Sequence, residues 1–312
     1  MALKRLFCLL ILMVVAWSCN NDDEGPDVIQ VPPQTISETI IEDDAEIKAF
    51  LQSHFYNYEE FASPPDNFDF QISVDTIAGD NAGKIPLSDQ VETTIISVNT
   101  DEDVGVVPHT LYYLVVREGV GQSPTIGDNA FVRYEGTLLN GTAFDASTNT
   151  PAVFNLSRVV RGYGNGVIKL KGGTGPIENG DGTVSYDGYG IGLIIMPSGL
   201  GYFNSPPAGS IIGSYTPLIF KVDLLSFEKD TDLDDDGIPS FMEDLDNNGN
   251  LNDDNTDGDS EVGFFFPNYN DADDDGDGIP TREEIDLDAE GNFIGFRDLD
   301  GDGIQDHLDN DN

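Results

Sequence analysis

Three stretches near the end of the chain, DLDDDGIPSFME (232–243), DDDGDGIPTREE (273–284) and DLDGDGIQDHLD (298–309), repeat one arrangement of oxygen donors. Each has carboxylates at positions 1, 3, 5 and 12: Asp232, Asp234, Asp236 and Glu243; then Asp273, Asp275, Asp277 and Glu284; then Asp298, Asp300, Asp302 and Asp309. Glycine holds position 6 and isoleucine position 7 (Ile238, Ile279 and Ile304), and the third copy adds Asp306 at position 9. Calcium takes about six to eight hard oxygens at about 2.3–2.6 Å, and alternating acids around a sharp glycine turn supply them, with the isoleucine backbone carbonyl as a further donor. The isoleucine side chains are expected to turn inward as a small substitute core. A chance acidic run has no reason to keep Gly and Ile in phase three times. Fainter copies lie at Asp244-Asp246-Asn248-Gly249 and Asp253-Asn255-Asp257-Gly258. His307 falls at a non-ligand position and reads as a surface residue.

A second constellation is sparser. EGTLLNGTAFDAS (135–147) carries a Phe-Asp pair, Phe144-Asp145, after its Asn-Gly turn, in a chain with three histidines and two cysteines. Neither His54 nor His109 has an acidic or histidine partner at ligand spacing. Cys8 and Cys19 both fall in a leader-like N-terminus, so a disulfide or metal-thiolate site is excluded. What chemistry the Phe-Asp pair could serve is then a question for the elements around it.

The elements that position these residues fall into five segments. Residues 1–19 read as an export signal, with Lys4 and Arg5 before the apolar run Leu6–Val15 and then Ala16-Trp17-Ser18-Cys19. Residues 20–35 are an acidic tether. An extension over 36–107 carries a helical stripe, Ile47, Phe50, Leu51 and Phe55, with Asp43 and Glu46 as its expected capping box, and then strand-like alternation in FDFQISVDTIAG and VETTIISV. Over 108–229, TLYYLVV, NAFVRYEGTLL, YGIGLIIMP and PLIFKVDLLSF read as strands, and Asn140-Gly141 signals a tight hairpin whose central positions favour positive φ. Only SRVVRGYGNGVIKL accommodates a short helix. The expected class is therefore α+β, an antiparallel sheet curved around one short helix. Residues 230–312 hold 29 of the 58 acids against Arg282 and Arg297 and have too few large apolar residues for a core of their own. The net charge of −44 excludes nucleic acid as a partner through repulsion.

The ordered set EGVGQSPTIGD, VRYEGTLLNGTAFDAS, FNLSRVVRGYGNGV, IIMPSGLGY and IIGSYTPLIFKVDLL resembles the FK506-binding-protein (FKBP) type of peptidyl-prolyl cis-trans isomerase over about 120 residues. The resemblance implies an FKBP-like sheet and an apolar pocket lined by Tyr134, Phe144, Val159, Val160, Tyr163, Tyr202, Ile212 and Phe220, with Asp145 at its edge. It implies that the Val160 N–H and the Tyr202 hydroxyl hold the carbonyls of a proline-containing client, and that catalysis needs no cofactor. Three features depart from the family: Tyr163 stands where Trp is usual, Ala152 replaces a wall Phe, and Ala208 replaces an overhanging loop residue. An insertion, GGTGPIENGDGTVSYDG, reads as a hairpin beside the helix-to-strand link.

The acidic loops resemble cysteine-free thrombospondin type 3 calcium repeats. Ala16-Trp17-Ser18-Cys19 resembles a bacterial lipobox, which implies lipid on Cys19 and an outer-membrane lipoprotein of the bacterial envelope. Three functions are compatible with these readings. The first is an envelope-anchored isomerase or folding factor, and the second a non-catalytic binder of proline segments. The third is an adhesive surface lipoprotein that uses the fold as scaffold, since fold alone does not fix function.

Overall fold

The protein is described here by a computed structural model over residues 33–100, 105–257 and 265–311, so Cys19, the lipobox and nearly all of the tether lie outside the described residues. Helix α1 (Ile36–Ser53) begins at Thr35, whose hydroxyl accepts from the Glu38 amide while the Glu38 carboxylate accepts from the Thr35 amide. The capping box is thus Thr35-x-x-Glu38, upstream of the expected Asp43 and Glu46. Asp43 instead lies inside the helix, where its Oδ2 accepts from both the amide and the hydroxyl of Ser198 at 2.7 Å. The apolar stripe continues beyond the helix, because Phe55 belongs to strand β1 (His54–Tyr56). A short α2 (Tyr58–Ala62) and β2 (Val74–Thr76) complete a small cap, with β1 and β2 paired antiparallel.

The main sheet has six antiparallel strands in the order β3 (Glu92–Asn99), β4 (Val106–Arg117), β9 (Gly190–Met196), β10 (Leu218–Glu228), β5 (Asn129–Leu138) and β6 (Ala143–Asn155). Its first strand comes from the extension. The β5–β6 turn uses positive φ only at Gly141 (83°), and the register slips between Gly136 and Thr137. Helix α3 (Arg161–Val167) covers one face, packing Tyr163 and Val167 against Tyr134, Ile194, Met196 and Phe220. On the other face α1 sets Ile47, Phe50 and Leu51 against Tyr112, Leu193, Ile195 and Ile219. Burial on both sides explains why β9 reads as an unbroken apolar run, GIGLIIM, with no alternation. The insertion forms the hairpin β7 (Thr174–Glu178) and β8 (Val184–Asp187).

The acidic segment borrows its core from this domain, and Gln34–Asn312 form one unit. Leu251 and Tyr269 are buried in the α3-side cluster. Asn252 donates to the Ser157 carbonyl at 2.8 Å, and a Cβ at Gly127 would stand 2.6 Å from the Phe241 amide nitrogen. The tail has little regular structure: 3₁₀ turns, helix α4 (Thr281–Glu284) and a ribbon of β11 (Ile285–Leu287) with β12 (Phe293–Phe296).

Two expectations are corrected there. Ile238 packs inward, but Ile279 and Ile304 are 42% and 47% exposed, because the second and third loops have no domain surface to bury them against. His307 is 3% exposed and stacks on Phe296 at 4.7 Å, and burial pushes its pKa down to about 4.

Candidate functional site

Tyr134 on β5 and Phe220 on β10 point from the concave face of the sheet toward Tyr163 of α3, which closes the floor between them. Tyr163 meets Phe220 edge-on at 5.0 Å and Tyr134 at 6.4 Å, and Phe154 of β6 completes the box at 5.4 Å from Tyr134 and 6.0 Å from Tyr163. Edge-to-face contacts of this kind set ring hydrogens against neighbouring ring faces and fix the walls. The open cavity they wall is about 430 Å³, and Asp145, Arg158, Val159, Val160 and Tyr202 complete its lining.

Asp145 sits at the edge as an acceptor, taking the Tyr134 hydroxyl on Oδ2 at 2.6 Å. Burial first, then this bond, pushes the Tyr134 phenol well above its ordinary range. Burial and the nearby Asp145 charge raise Tyr202 as well. Both phenols are therefore neutral donors at physiological pH. The Tyr163 hydroxyl is buried with no partner among the described residues. Val160 caps α3: its carbonyl accepts from the Tyr163 and Gly164 amides at 2.9 and 3.2 Å. The first N–H groups of a helix have no intrahelical acceptor, so this end of α3 offers donors beside the cavity.

Two further expected residues, Phe144 and Ile212, belong to the apolar cluster that surrounds the box. Phe144 meets Phe220 edge-on at 5.5 Å, where Gly136 leaves room for it: a Cβ there would fall 2.5 Å from the Phe144 ring. Phe154 and Arg158 were missed. Phe154 is two residues along β6 from Ala152 and so on the same face, and period-two alternation is the signal that finds it. Arg158 reaches the wall from the 3₁₀ turn Leu156–Arg158. It donates to Asn270 Oδ1, and its guanidinium lies 5.9 Å from the centre of the Tyr269 ring. No residue of the β7–β8 hairpin lines the cavity.

In the tail, carboxylate oxygens of positions 1, 3 and 5 converge within 4.8 Å in each loop: Asp232, Asp234 and Asp236; Asp273, Asp275 and Asp277; Asp298, Asp300 and Asp302. The three loops repeat one hydrogen-bond pattern, in which the position 6 amide donates to the position 1 carboxylate and the position 7 amide to the position 5 carboxylate. Positive φ at Gly237, Gly278 and Gly303 (95–107°) makes the turn that closes each ring of oxygens. Asp244, Asp246 and Asp254 form a further group, whereas Glu284 and Asp309 stand outside the converging groups.

Glu243, at position 12 of the first loop, converges with Asp236 and with Asp274, which the sequence pattern passed over. Both oxygens of Glu243 and both of Asp274 are buried without a hydrogen-bond partner among the described residues. Burial, and then the surrounding carboxylates, push Glu243 up to about 11 and Asp274 up to about 9. A buried carboxylate without a donor is destabilised by several kcal/mol in its charged form, and a hard cation among such oxygens removes that penalty. The donor set therefore fits calcium: carboxylates only, closely spaced, and short of donors.

Sequence comparison finds the FKBP-type peptidyl-prolyl cis-trans isomerase profile over residues 121–175. The chain is 36% identical over 128 residues to the peptidyl-prolyl cis-trans isomerase Mip of Coxiella burnetii, covering 40% of this chain and 48% of that protein. It is 34% identical over 119 residues to FK506-binding protein 1 of Dictyostelium discoideum, covering 36% of this chain and 94% of that protein. The outer membrane protein MIP of Legionella longbeachae is 29% identical over 126 residues, covering 40% of this chain and 47% of that protein. The chain thus spans about half the length of the two Mip relatives and nearly all of the Dictyostelium protein.

Proposed function

Because the chain belongs to the FKBP-type peptidyl-prolyl cis-trans isomerase family, we propose that its aromatic cavity binds a proline-containing polypeptide segment and speeds rotation about the prolyl peptide bond. The observation that carries this reading is the box of Tyr134, Phe154, Tyr163 and Phe220 with the Asp145–Tyr134 pair at its edge. Amide resonance sets a rotation barrier of about 18–20 kcal/mol, and uncatalysed prolyl isomerisation takes tens of seconds or longer. No bond breaks, so neither a nucleophile nor a cofactor is required. The planar amide is more dipolar than the twisted transition state, and a water-poor cavity walled by rings stabilises the twisted form relative to the planar one. Lowering the barrier by about 5–7 kcal/mol amounts to about four to five decades of rate.

In this reading the Tyr202 hydroxyl and the Val160 N–H hold client carbonyls. Asp145 is an acceptor that orients Tyr134 and tolerates the turning carbonyl, and it is not a proton-transfer base. Residues 108–229 form the catalytic unit, 36–107 a supporting extension, and 230–312 a calcium-binding tail in which the first, third and fifth residues of each loop, with the isoleucine carbonyls, hold the ions. Lipid on Cys19 anchors the protein at the bacterial envelope, in keeping with the name of the Legionella relative. The test is NMR exchange on a short proline peptide with calcium present. Wild-type protein is expected to broaden and merge the cis and trans signals, with Tyr134→Phe weaker and Phe220→Ala near background. A wild-type rate equal to buffer alone would leave only binding.

A further inference from the structure

At position 2 the second acidic loop departs from the residue that the other two share. Position 2 is Leu233 in the first loop and Leu299 in the third, but Asp274 in the second. The backbone is arranged alike in the first two: the Leu233 amide donates to Ser240 Oγ at 3.1 Å and the Asp274 amide to Thr281 Oγ1 at 3.0 Å. Only the side chain changes, from apolar to acidic. Leu233 packs against the domain core, whereas Asp274 faces the first loop, where a carboxylate oxygen of it comes within 4.8 Å of those of Asp236 and Glu243.

We infer that Asp274 completes the calcium site of the first loop, so that one ion held by Asp236 and Glu243 from one repeat and Asp274 from another joins the two loops. The inference rests on the calcium reading of the tail and adds to it a ligand outside the twelve-residue pattern. Asp274 is 1% exposed and Glu243 3%, and all four of their carboxylate oxygens lack a partner. A mere acidic surface would be solvated, which does not describe these residues. Arg282 acts on Asp236 by its charge, but it bonds neither Glu243 nor Asp274. Calcium accepts an irregular shell of about six to eight oxygens at about 2.3–2.6 Å, whereas magnesium demands a near-octahedral shell and retains its waters, so a crowded group of buried carboxylates suits calcium.

The test is calcium titration of the purified full chain against a competing chelator, with thermal unfolding in calcium and in chelator. Variants are Asp274→Leu, which installs the residue of the other loops, and Asp234→Asn as a first-loop control. Asp274→Leu is expected to weaken one calcium by at least about tenfold. It should also shrink the calcium-induced rise in unfolding temperature and unfold at a higher temperature than wild type in chelator. Unchanged affinity and stoichiometry in Asp274→Leu, with one ion lost in Asp234→Asn, overturns the bridge and leaves calcium loops standing. No uptake by wild type at millimolar calcium overturns both.

Discussion

Tyr163 places a phenol where the family usually has an indole, and its hydroxyl is buried without a partner. A buried donor left unsatisfied costs about 1–3 kcal/mol. Tyr163→Phe is therefore expected to raise the stability of the free protein by about 1 kcal/mol, read by urea unfolding, while the box keeps its shape. Tyr134→Phe has the opposite sign: it removes a 2.6 Å bond to a carboxylate, worth about 1.5–3 kcal/mol, and frees Asp145 from its orienting partner. Lower stability together with slower peptide isomerisation checks this, and a variant as stable and as fast as wild type contradicts it. At this scale the sequence was uneven. The ring types and their order were readable, but the contacts each ring makes were decided by packing, as at Gly136, whose missing side chain leaves room for Phe144 against Phe220. Asp274 was passed over because it sits off the loop template, although an acid where sister loops carry Leu was there to be seen.

At the scale of elements, strands β4, β5, β9 and β10 were legible because their apolar runs are long and bounded by Gly, Pro and Asn. The start of α1 was misplaced by the acids at 43 and 46, although Thr35-x-x-Glu38 is the cleaner capping signal. What no local pattern conveys is why Asp43 is inside: it caps the turn at Ser198, 155 residues further along the chain. Burial, followed at a distance by Glu46 and Glu42, raises its pKa to about 6 despite those two bonds. The folded state therefore binds a proton that the unfolded chain releases near pH 4, so this group makes stability fall as pH rises from about 4 to about 6. Asp43→Asn keeps an acceptor oxygen for Ser198 and removes the titration. The stability difference between Asp43→Asn and wild type, measured in saturating calcium, should grow in favour of the variant across that window and be flat above it.

Over the whole molecule, both faces of the sheet are covered, one by α1 and the other by α3 with Leu251 and Tyr269 from the tail. The sequence reading set the tail apart because it lacks a core of its own, which holds only until a neighbour supplies one. Removing residues 230–312 uncovers the surface against which Leu251 and Tyr269 pack, and burying two side chains of that size contributes about 3–6 kcal/mol. The truncated chain is expected to unfold at clearly lower denaturant than the full one, and matching midpoints would show the contact to be idle. Arg158 sits where the two parts meet: it belongs to the cavity wall and is gripped from behind by Asn270, with Tyr269 beneath its guanidinium. The fold of the acidic segment is thereby coupled to the position of a cation in the cavity wall.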